Sequence, residues 1–359
     1  MKYWRGYLVA AIVAACTWGL RQFSAAHSVL VDMVYPYVTR MTQTYLAEAN
    51  SVVSFLAWRV WLIVGIVAAL VWIVAALIRR WSLVRIIGWM LAIVSILNLV
   101  SVGIYGLNEY AGPLADDIRL ENAEYAYSLD ELEQAAIYYR DQANALADKV
   151  ERDKHGDIEK PKFKELAADA ASGFETLVEE KAYSVFAGTT VPVKKLTFAN
   201  RRTTGKTVAL TGESAVNPQL PMTALPFAIS HEMAHRMCIV DDLDADFAGF
   251  LASTSNESAY YQYAGYLNAY WVCRWALEDV GDSAALQKVT SGENANLQND
   301  LDRHKKYFGK NGMTDPALCD LLVVWHVETQ VLPLQEEDEG RFDPLDRTQV
   351  DLTGIVNAG

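Results

Sequence analysis

Apolar positions follow two rules along this chain, with a change near residue 108. Up to that point they come in long runs without charge. Residues 60–78 hold no charged side chain and lie between Arg59 and the pair Arg79 and Arg80; residues 86–108 are equally uncharged. Each run reaches the roughly 20 apolar residues that carry a helix across hydrocarbon. A shorter run, residues 7–20, follows Lys2 and Arg5 and precedes Ser24, Ala25 and Ala26. It shares features with a cleaved signal peptide, and an uncleaved first membrane helix is the expectation. Residues 23–57 are mixed and aromatic, a composition suited to lying partly along a membrane surface.

Beyond residue 108 the runs give way to amphipathic spacing. The segment GLNEYAGPLAD, residues 106–116, leaves the membrane through a Gly-Pro turn. Ser128 stands three residues ahead of Glu131, the pattern of a capping box. Leu132, Ala135, Tyr139, Ala143, Leu146 and Val150 then recur at helical spacing. A polar break at His155 and Gly156 precedes a second helical pattern over residues 162–183. Residues 191–213 turn to β-favouring composition, VPVKKLTFA, then TTGK, then TVALTGE, which predicts a hairpin around Gly205. Further helical patterns run to about Gln330, and the acidic tail past Pro333 is expected to be irregular. The expected fold class is mainly α: about three transmembrane helices in residues 1–108, then an α+β domain with a small sheet in residues 109–359.

Charge sharpens that boundary. The first 108 residues hold 8 Lys/Arg and 2 acids, so 23 of the 31 basic and 42 of the 44 acidic residues follow. So acidic a domain argues against nucleic acid as a partner, since that needs clustered positive charge. The connector RRWSLVR between the second and third runs carries Arg79, Arg80 and Arg85, and the positive-inside rule puts it in the cytoplasm. The expected localisation is a multi-pass cell-membrane protein with its domain on the extracytoplasmic side and the lipid bilayer as a partner. Cys16, Cys238, Cys273 and Cys319 lack zinc-ribbon spacing. Cys273 and Cys319 fit either an exported-domain disulfide or two buried thiols.

The candidate chemistry is HEMAH, His231 to His235. On a helix, positions i and i+4 share a face, so both imidazoles can reach one ion, with Glu232 beside them. Zinc accepts neutral imidazole and acidifies a bound water, and a neighbouring carboxylate then serves as general base. Catalytic zinc keeps three protein ligands. Downstream lie Asp241, Asp242, Asp244 and Asp246. Asp242 is the expected third ligand, with Asp241 and Asp246 as alternatives. Asp242 and Asp246 share a face, so one can bind metal while the other orients a ligand histidine. Asp244 is expected to be solvated or to cap the helix.

These residues carry a resemblance. TGESAVNPQLPMTALPFAISHEMAH, the Asp242-Asp244-Asp246 run and YAGYL at 263–267 resemble a group of bacterial membrane proteins. That group is catalogued as a domain of unknown function and regarded as zinc peptidases with N-terminal membrane helices. GLNEYAGPL and YSLDELEQAAIYYRDQAN are similar to it as well. More distantly, the pattern resembles the membrane-bound gluzincins, including prenyl-protein endopeptidases and the sensor peptidases of antibiotic response. Their Glu-x-x-Ala-Asp motif falls on Asp242, Ala245 and Asp246, so the resemblance implies a gluzincin-like fold, Zn2+ and a peptide or protein substrate. Asp242 departs from the motif by one methylene, which demands a closer backbone or another acid.

Weaker candidates complete the reading. The hairpin over 191–213 is the candidate edge for pairing extended substrate. Tyr263 and Tyr266 are candidates to stabilise an oxyanion, Tyr266 foremost, with a core role as the alternative. His326 is expected in the core, His304 on a solvated charged face, and Cys238 as a small buried hydrophobe. The expected function is a membrane-anchored zinc metallopeptidase with Glu232 as general base. The alternatives are a catalytically weak sensor or scaffold that keeps the fold, and a non-peptidase zinc hydrolase.

Overall fold

The computed structural model describes residues 4–120, 126–200, 203–309 and 316–333, so the acidic tail lies outside the described residues. Among the described residues three helices are long and apolar enough to cross a membrane: α1 (Arg5–Ala26), α3 (Ala57–Ile78) and α4 (Leu83–Ile104). Between the first two runs α2 (Ser28–Ser51), which carries Pro36 in its interior. Gly6 of α1 lies against the backbone of Gly88 in α4, near the start of both helices, so the two pack side by side in the same direction. The connector to α4 spans only residues 79–82, which makes α3 antiparallel to it.

The remaining helices build the acidic part: α5 (Leu114–Asp117), α6 (Leu129–Ala147), α7 (Phe163–Glu179), α8 (Leu225–Arg236), α9 (Asp242–Thr254), α10 (Ala259–Val280), α11 (Ser283–Thr290), α12 (Ala295–Phe308) and α13 (Pro316–His326). Helix α6 opens on the expected capping box. Glu131 N–H donates to Ser128 Oγ at 3.3 Å, and the Glu131 carboxylate accepts from Ser128 N–H at 2.6 Å. The five periodic apolar residues within it, and Val150 just past its end, are all buried. One continuous core joins α6 through α10 with α12 and α13. Tyrosine hydroxyls cross-link it: Tyr139 donates to Leu322 O at 2.7 Å, and Tyr261 to Leu166 O at 2.6 Å. Cys273 and Cys319 are both buried free thiols, with no disulfide between them.

The sheet has three strands in the order β1 (Lys194–Lys195), β3 (Glu213–Val216), β2 (Gly205–Val208). Strands β2 and β3 pair antiparallel, with Gly205 opposite Val216 and Val208 opposite Glu213, while β1 joins β3 in parallel. The expected turn at Gly205 is therefore corrected: Gly205 opens a strand, and the chain reverses over residues 209–212. Gly212 makes that reversal at φ +63°, a conformation that glycine adopts without steric cost. His304 is a second correction. It is fully buried, its ring packs against Trp271 and Phe308, and burial lowers its pKa to about 4.

Candidate metal centre

Helix α8 starts with Pro226 in its first turn, a favoured place for a residue with no N–H to offer. Its second half carries His231, Glu232 and His235. Helix α9 returns alongside because Gly249 has no side chain: a Cβ there would stand 3.3 Å from His231 N. The two helices are thus close enough for the short Asp242 side chain to reach α8.

One ligand atom each from His231, His235 and Asp242 lies within 4.8 Å of the others. Asp242 Oδ1 is 3.3 Å from His235 Nε2, and its side chain is 91% exposed, so the cluster faces solvent on that side. Both rings are held through their other nitrogen. His231 Nδ1 bonds Asp246 Oδ1 at 2.7 Å, and His235 Nδ1 bonds Ile239 O at 2.8 Å. A carbonyl can only accept, so the His235 proton sits on Nδ1 and the Nε2 lone pair is left for an ion. The Asp246 side chain holds His231 Nδ1 in the same way. This donor set, two imidazoles with orienting partners and one carboxylate, fits zinc.

The four acids of the downstream run have separate contacts. Asp241, not Asp244, caps α9, accepting from Leu243 N at 2.9 Å and Asp244 N at 3.2 Å. Asp244 accepts from Leu114 N at 3.1 Å, and burial pushes its pKa up. Asp242 and Asp246 remain to face the histidines.

Burial is the largest influence on His231 and pulls its pKa down, yet the hydrogen bond and charge of Asp246, with Glu232 and Asp242, outweigh it and raise it above the ordinary value. His235 is lowered, by burial and by His231. Glu232 is raised, chiefly by burial, against the hydrogen bond from Thr207 and the charge of His231. A carboxyl moved upward toward neutrality is suited to accept and return a proton.

Two strand residues at this site escaped the sequence reading. Thr207 Oγ1 donates to Glu232 Oε2 at 2.6 Å, and Ser214 Oγ donates to Glu232 O at 2.8 Å. Gly205 belongs with them, since a Cβ there would collide with the Glu232 carboxylate. Tyr105, just past α4, also reaches α8, its hydroxyl donating to His235 O at 2.7 Å. Nothing local in the sequence marks these residues; strand pairing and helix packing bring them in.

The aromatic candidates have other partners. Tyr263 donates to Asp300 Oδ2 at 2.7 Å inside a buried network with Arg152. Tyr266 packs among Tyr138, Tyr139 and Phe250. His326 is buried against Tyr138, with its pKa lowered to about 4 by burial. Cys238 is buried and takes φ +72°, in the turn that carries Ile239 O back to His235. Next to Asp242 a cavity of about 830 Å³ opens between α2, α5 and the segment after α8.

Comparisons with curated proteins and with solved structures returned no match. A family model described as a protein of unknown function (DUF3810) matches residues 31–319, and the chain belongs to that family.

Proposed function

We propose that this protein is a membrane-anchored zinc metallopeptidase of gluzincin-like architecture, with its domain on the extracytoplasmic side. The observation that carries the reading is the convergence of His231, His235 and Asp242 within 4.8 Å, with both imidazoles oriented from behind. Zinc held by these three would acidify a water and polarise the scissile carbonyl. Glu232 takes the proton of the attacking water and passes it to the leaving amine. Thr207 and Ser214 hold the Glu232 carboxylate and backbone in place for both transfers. Strand β2 is a sheet edge, and an extended peptide added to it would pass beside that carboxylate. Arg79, Arg80 and Arg85 at the far end of α3 and α4 support the orientation.

The test is turnover of a peptide library by purified protein, wild type beside Glu232→Gln. Wild-type cleavage that falls by about 10²-fold or more in Glu232→Gln, with zinc retained, is the expected result. Zinc without turnover of any peptide would favour the sensor or scaffold. Turnover confined to non-peptide esters or amides would favour a different hydrolase.

A further inference from the structure

Helix α2 has two faces of different character. Its inner face is fastened to the rest of the molecule by polar contacts. Tyr35 donates to Val102 O at 2.8 Å, Arg40 to Ser184 O at 2.9 Å and Met237 O at 3.3 Å, Gln43 to Ala209 O at 3.0 Å, and Asn50 to Thr211 O at 2.9 Å. These partners include the end of the metal helix and the β2–β3 turn. Its outer face carries Leu30, Val34, Tyr37, Val38, Met41 and Tyr45, each more than half exposed. They recur at three- and four-residue spacing, which aligns them in one stripe. Asp32 and Arg40 fall on the other side and line the cavity, while the third charged residue of α2, Glu48, continues the line of the stripe one turn beyond Tyr45, at the end next to the linker. A contiguous apolar stripe of this length is not left in water without a partner.

The connectivity says what that partner is. Helices α1 and α4 run side by side in one direction and α3 runs against them, so the end of α1, the start of α3 and the end of α4 share one side of the membrane. Helix α2 begins two residues after α1 ends, and only residues 52–56 separate it from α3. Twenty-four residues make a rod about 36 Å long. The five-residue linker reaches about 17 Å at most. A rod of that length with one end fixed at the bilayer face and the other within that reach of it can rise from the face by no more than about half its length.

We infer that α2 lies in the plane of the membrane interface with its outer stripe sunk into the lipid leaflet, so that the metal centre is docked onto the bilayer surface. The aromatic side chains suit that depth: Tyr37 and Tyr45 on the stripe and Phe55 and Trp58 beside the start of α3 sit where amphipathic rings collect at membrane boundaries. Met33 and Tyr37 border the stripe and also line the cavity that reaches Asp242. The cavity therefore opens within about one helix diameter, roughly 10 Å, of the lipid. Joined to the peptidase reading, on which this clause alone rests, the favoured substrate is a polypeptide segment leaving the bilayer.

The experiment uses the full chain with Cys16→Ser, in vesicles of equal parts phosphatidylcholine and phosphatidylglycerol. Spin labels are placed singly at Val34→Cys, Val38→Cys and Met41→Cys, with Val71→Cys in α3 as the lipid reference and Lys181→Cys and Gln287→Cys as aqueous references. Depth is read from collision with oxygen against collision with a water-soluble nickel chelate. The expected result is a depth of about 5–10 Å below the headgroups for all three α2 positions, shallower than Val71. Nickel access equal to that of the aqueous references would overturn the inference, as would a depth equal to that of Val71 or protection from both collision partners. These readings need neither metal nor turnover, so they stand or fall apart from the peptidase reading.

Discussion

Among the four acids that follow HEMAH, contact rather than position sorts the roles. Asp241 is committed to capping, Asp244 to Leu114, Asp246 to His231, and Asp242 stands exposed beside His235 Nε2. The shared face of Asp242 and Asp246 was legible from helical spacing, whereas the cap at Asp241 required the helix start to be known. Asp246→Ala is expected to weaken zinc binding about 10–100-fold while the ligands stay in place. Asp241→Ala should cost about 1 kcal/mol of stability through the lost cap and leave zinc content unchanged. Competition titration with a chelator, beside thermal unfolding, separates the two. Equal zinc affinity in Asp246→Ala would remove it from the site. Thr207 was not legible because 25 residues separate it from Glu232 and only the packing of β2 on α8 joins them.

At the scale of elements, apolar periodicity predicted α6 and α7 to within a few residues, because their buried faces are uniformly apolar. The pattern misled where a buried face is polar. Helix α12 buries Leu297, Asp300, Leu301 and His304, an i, i+3, i+4, i+7 face, but the charges flanking His304 in DRHKK made that residue read as solvated. The hairpin misled for another reason: Gly205 stands in a strand because Glu232 leaves no room for a side chain, not because the chain turns there. Glycine serves packing again where α7 crosses α9, since a Cβ on Gly173 would collide with the Ala252 carbonyl. Backbone cannot yield as a flexible side chain does, so Gly173→Ala should destabilise the protein by about 1–3 kcal/mol. Thermal unfolding of the detergent-solubilised chain checks this, and an unchanged midpoint would mean that the α7–α9 contact is looser than described.

For the whole molecule, composition alone separated membrane from domain, because lipid and water select opposite side chains. It could not show that α2 is fastened to both. The domain also carries an acid-sensitive group in His304, held neutral by burial. The unfolded chain takes up its proton near pH 6.5, while the folded chain does so only near pH 4. Between those values the unfolded state binds more protons, so the contribution of His304 to stability is fully present above pH 6.5 and is lost as pH drops toward 4, about 3 kcal/mol in all. Denaturant unfolding across that range should show a flatter pH slope in His304→Leu than in wild type; parallel slopes would assign the acid sensitivity elsewhere. The metal centre is tested most simply by the zinc content of the purified full chain, wild type beside His235→Ala and Asp242→Ala. Close to one zinc per wild-type chain, and its loss in both variants, is the expected result. A wild-type protein without zinc, supplied with the metal in excess, would contradict it.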